Sequence, residues 1–139
     1  MTGTRTWGGL LVSIGLLIMV GLAYAQPKAG VKRIGMVIRL KPERIAEYQR
    51  LHADSNPGVR DLLRKANIRN FSIFLRQLDD GQYYLFGYYE YTGSNYDADM
   101  AKLAAEPRNK EWLLVTDPMQ IPLKGEKSWA MMEEVYHNQ

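Results

Sequence analysis

Two side chains four residues apart, Tyr48 and His52, are the first candidates for chemistry in this chain. They lie in the stretch Glu47-Tyr48-Gln49-Arg50-Leu51-His52, with Pro57 following. Histidine is the side chain whose unperturbed pKa, roughly 6.5, lets it take up and release protons near neutral pH. On a helix, a spacing of four puts the phenol and the imidazole on one face. Such a pair suits acid/base work on a small hydroxylated molecule. The bland alternative is a helix end where His52 caps carbonyls or meets the dipole.

Three other groupings have both a chemical and a structural reading. The run Tyr83 to Tyr91 (YYLFGYYEY) alternates aromatic residues along a strand. Such a strand serves core and interface, or stacks on the flat faces of sugars while tyrosine hydroxyls bind their oxygens. Trp112 and Trp129 are either core residues or walls of an opening, and Trp112 stands close to Asp117-Pro118. Glu133-Glu134 reads as solvated or dimer-rim charge, because adjacent strand residues face opposite sides. His137, near the end of the chain, reads as structural.

The elements that must position these groups follow from local pattern. Lys32 to Leu40 (KRIGMVIRL) is an apolar, β-branched strand, and Pro42 opens a helix over Glu43 to His52. Ile45, Tyr48, Leu51 and His52 form its inward stripe. Ala53 to Pro57 breaks the helix, and a second runs from Gly58 to Ala66. Asn70 to Leu78 and Gln82 to Thr92 are strands joined by the turn Asp79-Asp80-Gly81. Helices follow over Asn95 to Glu106 and Arg108 to Val115, then a loop over Asp117 to Gly125. A last strand is expected from Lys127 to Tyr136. The order β-α-ββ-α-β predicts an α+β fold of the ferredoxin-like kind, an antiparallel sheet with helices on one face. The aromatic strand carries rings on both sides, and a bare apolar face is unfavourable in a monomer. Two sheets are therefore expected to pack face to face, as a dimeric α+β barrel and a homodimer.

Composition narrows the classes. The chain has 139 residues, 46% hydrophobic and 24% charged, enough for one domain with a core. Its net charge of +3 is spread along the chain without a Lys/Arg stripe, which argues against nucleic acid as a partner. There is no cysteine, so disulfides, thiol nucleophiles and Cys-ligated metals are excluded. The histidines are too far apart for a metal motif, and neither a phosphate loop nor a nucleophile elbow occurs. No cofactor is expected.

Residues 1–25 read as a secretory signal peptide. Arg5 supplies the positive start, Gly8 to Leu22 the apolar run, and Ala23-Tyr24-Ala25 the cleavage site. The apolar run is short for a membrane span. The mature domain then covers 26–139, exported to the periplasm or beyond, with no stable membrane association after cleavage.

The mature chain, from about Val31 to His137, resembles the L-rhamnose mutarotase family. The resemblance rests on IGMVIRLKPE, EYQRLH with Pro57, NFSIFL, YLFGYYEY, EWLLVTDPM and WAMMEEVYH, in that order and spacing. It implies dimeric α+β barrels that interconvert the α and β anomers of L-rhamnose without metal or cofactor. It places the family's proton-donating histidine at His52 and a substrate-binding tyrosine at Tyr48. A substrate-contacting tyrosine falls at Phe71, which lacks the hydroxyl. A pair of adjacent tryptophans falls at Trp112, beside Glu111 and Leu113. A tryptophan common before the proline is Asn56 here. The wall has therefore changed at Asn56, Phe71 and Leu113, which bears on which sugar is taken. The signal peptide also sets this chain apart from cytoplasmic members. Two other functions compete: a non-catalytic periplasmic sugar-binding module, and, on fold analogy alone, an oxygenase-like or heme-handling barrel.

Overall fold

A computed structural model describes residues 30–138; the expected signal segment, 1–25, lies outside the described residues. Strand β1, Lys32–Leu40, is the centre of the sheet. Its alternation buries Ile34, Met36, Ile38 and Leu40 on one face. Strand β3, Tyr83–Tyr91, pairs antiparallel along all of β1, setting Ile34 opposite Tyr89 and Ile38 opposite Leu85. Strand β2, Ile68–Gln77, pairs antiparallel with the other side of β3.

The free edge of β1 is shared by two short antiparallel strands. β4, Gln120–Ile121, meets Leu40 and Arg39, and β5, Ala130–Met132, meets Val37 to Gly35. The sheet order β2-β3-β1-β4/β5 is the ferredoxin-like one, with the fourth position split. The last strand is thus much shorter than the expected Lys127 to Tyr136, and the expected loop contains β4. Past Met132 the tail is held by a side-chain ion pair, Arg33 to Glu134 at 2.6 Å, in place of a strand ladder. Glu133, Glu134 and His137 are exposed.

Four helices cover the inner face. A single 3-10 turn at Pro42–Arg44 leads into α1, Ile45–His52. The others are α2, Arg60–Lys65; α3, Tyr96–Ala105; and α4, Pro107–Thr116. Asn95 caps α3 by accepting a hydrogen bond from the Ala98 amide, and Pro107 occupies the first turn of α4. Within α3, Met100 and Leu103 pack on the core as expected, while Ala104 is exposed.

The core has two parts. Ile34, Met36, Ile68, Tyr89 and Tyr91 pack under α3; Ile38, Leu40, Tyr48, Leu85 and Met119 pack under α1. Trp129 touches both. The outer face is apolar and open: Phe74 is 64% exposed, with Phe86 and Val37 beside it in register. Among the described residues no helix is long and apolar enough to cross a membrane.

Candidate active site

One irregularity in the sheet decides where the site opens. Between Arg69 and Ser72 the β2–β3 register shifts, with Asn70 at φ 51° as the extra residue. A bulge of this kind re-aims the side chains around it. Here it brings the Phe71 ring against Tyr89, edge to face at 5.4 Å, and into a cavity of about 550 Å³. The cavity lies between the inner face of the sheet and helices α1, α2 and α4. Tyr48, His52, Phe71 and Trp112 all line it. So do Asn56 and Leu113, the other wall positions that the resemblance singled out.

His52 is held from two sides. Its ring stacks on Tyr48 with centroids 4.1 Å apart and planes 24° apart. The edge of Trp112 meets it at 5.2 Å. His52 Nδ1 lies 2.8 Å from the Tyr48 carbonyl oxygen. A carbonyl only accepts, so Nδ1 carries the hydrogen and Nε2 is the free basic nitrogen. Nε2 has no protein partner among the described residues, and the ring lines the cavity. Burial lowers the His52 pKa below its ordinary value of 6.5; the Tyr48 carbonyl works against this, and the nearby Arg60 cation adds to it.

Tyr48 is 5% exposed. Burial pushes its phenol up to about 12, despite a hydrogen bond with Gln120 that favours the ionised form. The hydroxyl therefore stays protonated through the physiological range.

The segment after His52 is clamped by a residue that local pattern did not single out. α1 ends when Ala53 turns extended, leaving carbonyls without intrahelical partners. Arg60 satisfies them: its guanidinium donates to the carbonyls of His52 at 2.9 Å, Ala53 at 3.2 Å and Asn56 at 2.5 Å. Asn56 Oδ1 accepts from the Gly58 amide at 3.2 Å, so this wall residue also shapes the turn. Gly58 has φ +50°, and a Cβ there would lie 3.1 Å from Cη2 of Trp112. Only glycine provides both that backbone conformation and that closeness at low cost.

Trp129, Gln120 and Asp117 complete the wall, and of these only Gln120 had no signal in the sequence. Trp129 is at once core and wall. The Asp117-Pro118 pair was a signal of the opening. Phe71 and Trp112 present flat apolar surface, His52 Nε2 an unpartnered ring nitrogen, and Tyr48 and Asn56 polar edges. Among the described residues no cluster of side chains has metal-binding composition.

Comparison with known proteins identifies the family. Residues 33–138 match the family model described as L-rhamnose mutarotase. The chain is 33% identical over 105 residues to the L-rhamnose mutarotase of Mannheimia succiniciproducens, covering 76% of this chain and 96% of that protein. It is likewise 33% identical over 101 residues to that of Sinorhizobium medicae, covering 72% and 91%. The fold is similar to the crystal structure of L-rhamnose mutarotase FA22100 from Formosa agariphila. The TM-score is 0.58 at 19% identity, over 78% of this chain and 99% of that one. The chain belongs to the L-rhamnose mutarotase family.

Proposed function

From that membership as premise, we propose that the protein interconverts the α and β anomers of L-rhamnose or a related sugar. The route is acid/base-assisted opening and closing of the ring. Mutarotation moves protons between the anomeric hydroxyl and the ring oxygen, which needs positioned donors and acceptors and no redox or electrophilic group. The reaction in this reading is run by side chains without a cofactor.

The observation that carries the reading is the state of His52. Its Nδ1 is committed to the Tyr48 carbonyl, its plane is fixed by Tyr48 and Trp112, and Nε2 is left for the cavity. That is a preoriented proton donor/acceptor. Help of this kind is worth roughly 10²–10⁴-fold in rate. Tyr48 supports it by stacking and by its carbonyl, and its protonated hydroxyl donates a hydrogen bond to the sugar or relays the proton. Phe71 and Trp112 pack on the apolar face and methyl group of the sugar. The changes at Asn56, Phe71 and Leu113 all fall on the wall, so they act on sugar choice and not on the proton-transfer atom.

NMR saturation exchange between sugar anomers, across a panel of deoxy and ordinary hexoses, tests this directly. The protein should speed exchange for at least one deoxy sugar, and His52→Ala should abolish that acceleration. A His52→Ala protein exchanging as fast as its parent would remove His52 from the role. Sugar binding without exchange would favour the binding-module reading, which no feature of the site singles out.

Two wider assignments accompany the proposal. The open outer face, with Phe74, Phe86 and Val37, is read as the surface where two sheets pack into a homodimer. The leader at 1–25 is read as an export signal, so the enzyme acts on sugars outside the cytoplasm. Sedimentation analysis and N-terminal sequencing of the exported protein check these.

A further inference from the structure

Asp117 is the only carboxylate among the residues lining the cavity. It stands where α4 ends, at the negative end of the helix dipole, an unfavourable place for an anion. Its side chain makes no ion pair and no hydrogen bond among the described residues, in contrast to Asp61, Asp80 and Asp99. The segment that carries it also places Trp112 five residues before it and Gln120 three after, and both of these line the cavity too. Asp117 is open to solvent on one side and lines the cavity on the other, so its carboxylate is free to meet a ligand there.

Resting on the mutarotase reading, we propose that Asp117 is the second proton-transfer group of the site, working across the sugar from Nε2 of His52. One proton, shared by the pair, is sufficient. It is first taken up by the free Nε2 of His52, while Nδ1 keeps its own hydrogen on the Tyr48 carbonyl. As the ring opens, Asp117 takes the proton of the anomeric hydroxyl, the bond from C1 to the ring oxygen breaks, and C1 becomes a carbonyl. His52 gives its proton to the ring oxygen as that bond breaks. The proton then resides on Asp117. After rotation about C1–C2, the hydroxyl formed from the ring oxygen attacks the other face of the carbonyl and returns its proton to His52. Asp117 returns its own to the anomeric oxygen. No proton is gained or lost.

The surroundings favour this sharing. Partial desolvation raises the Asp117 carboxyl and burial lowers the His52 imidazole, so their proton affinities move toward each other. A group that is acid in one half-reaction and base in the other needs that match. The charged and titratable groups around the cavity are Tyr48 on α1, Arg60 and Arg64 on α2, and Arg69 on β2. With the Tyr48 phenol pushed up to about 12, His52 and Asp117 are the pair available to share a proton.

The test is Asp117→Asn, with Asp117→Glu as its control. The parent should show a bell-shaped pH–rate profile, its acid limb set by Asp117 and its alkaline limb by His52. Asp117→Asn should exchange anomers on the order of 10²-fold more slowly and lose the acid limb, and Asp117→Glu should restore part of both. Calorimetry of sugar binding separates the two readings. If Asp117→Asn keeps the parent's rate and its acid limb, Asp117 is overturned while the mutarotase reading stands. If the parent binds sugar without exchanging anomers, the mutarotase reading and the proton-transfer role of Asp117 fall together. Unchanged binding by Asp117→Asn in that event also removes Asp117 from sugar contact.

Discussion

The two ends of the inner face use the same residue types in opposite ways. Under α3, Tyr89 and Tyr96 share a hydrogen bond of 2.6 Å. Tyr91 donates to Asp99 at 2.7 Å, and Asn67 donates to the same carboxylate at 2.9 Å. These partners hold Asp99 below the usual carboxylate range. At the α1 end, Asp117 has no such partners and partial desolvation pushes it up, while His52 keeps one nitrogen free. One end spends its polar groups on each other and closes. The other withholds them and stays open. Hydrogen bonds left unmade in a cavity are the general expectation for a site shaped for a substrate.

The contrast can be broken most severely at His52. Replacing it with Gln should cost ~10²–10⁴-fold in anomer exchange, read by NMR, with the fold retained in circular dichroism. Arg60→Met is the next largest. Loosening the carbonyls of residues 52, 53 and 56 should cut turnover about tenfold, chiefly in kcat, since a small misplacement of a catalytic group is expensive. The same change removes a nearby cation, so the His52 pKa should rise in an NMR titration. Arg60→Lys should recover only part, because an ammonium lacks the planar fork.

Gly58→Ala should destabilise by roughly 1–3 kcal/mol in denaturant melts. It should also shift Trp112 and weaken sugar binding. At the closed end, Tyr91→Phe should lower the thermal midpoint by a few degrees and leave exchange unchanged; a loss of exchange there would erase the distinction between the ends.

Acid separates them more gently. His52 has a folded pKa below 6.5, so the unfolded chain binds more protons and folding stability should begin to fall as pH drops through 6.5. Asp99 is depressed below 3.8, so its contribution holds above that value and is lost only below it. Calorimetric melts from pH 7.5 to 3 should show the two losses in that order, with the first absent in His52→Gln.

Much of this was legible before folding. Alternation in KRIGMVIRL and YYLFGYYEY reports a sheet with one buried face, and both strands appear there. The spacing of four between Tyr48 and His52 reports a shared helical face, and the rings do stack. What escaped depends on partners distant in sequence. The bulge at Asn70 leaves no periodic trace, yet it turns Phe71 into the cavity. Arg60 reads as an ordinary polar helix residue until the carbonyls it satisfies are known. The final strand reads as one long run, but β4 takes the Arg39–Leu40 end of the β1 edge, and past Met132 the Arg33–Glu134 ion pair replaces the ladder. Trp129 was open between core and wall because it is both.

The placement of Trp112 and Trp129 has a practical consequence. They are the only tryptophans among the described residues, and both line the cavity. One touches the imidazole; the other joins the two halves of the core. In a protein prepared without residues 1–25, and so without Trp7, all indole emission would come from the cavity wall. Quenching by a soluble agent, a titration with sugar and an unfolding curve would then be three readings of the same two lamps, with no label added.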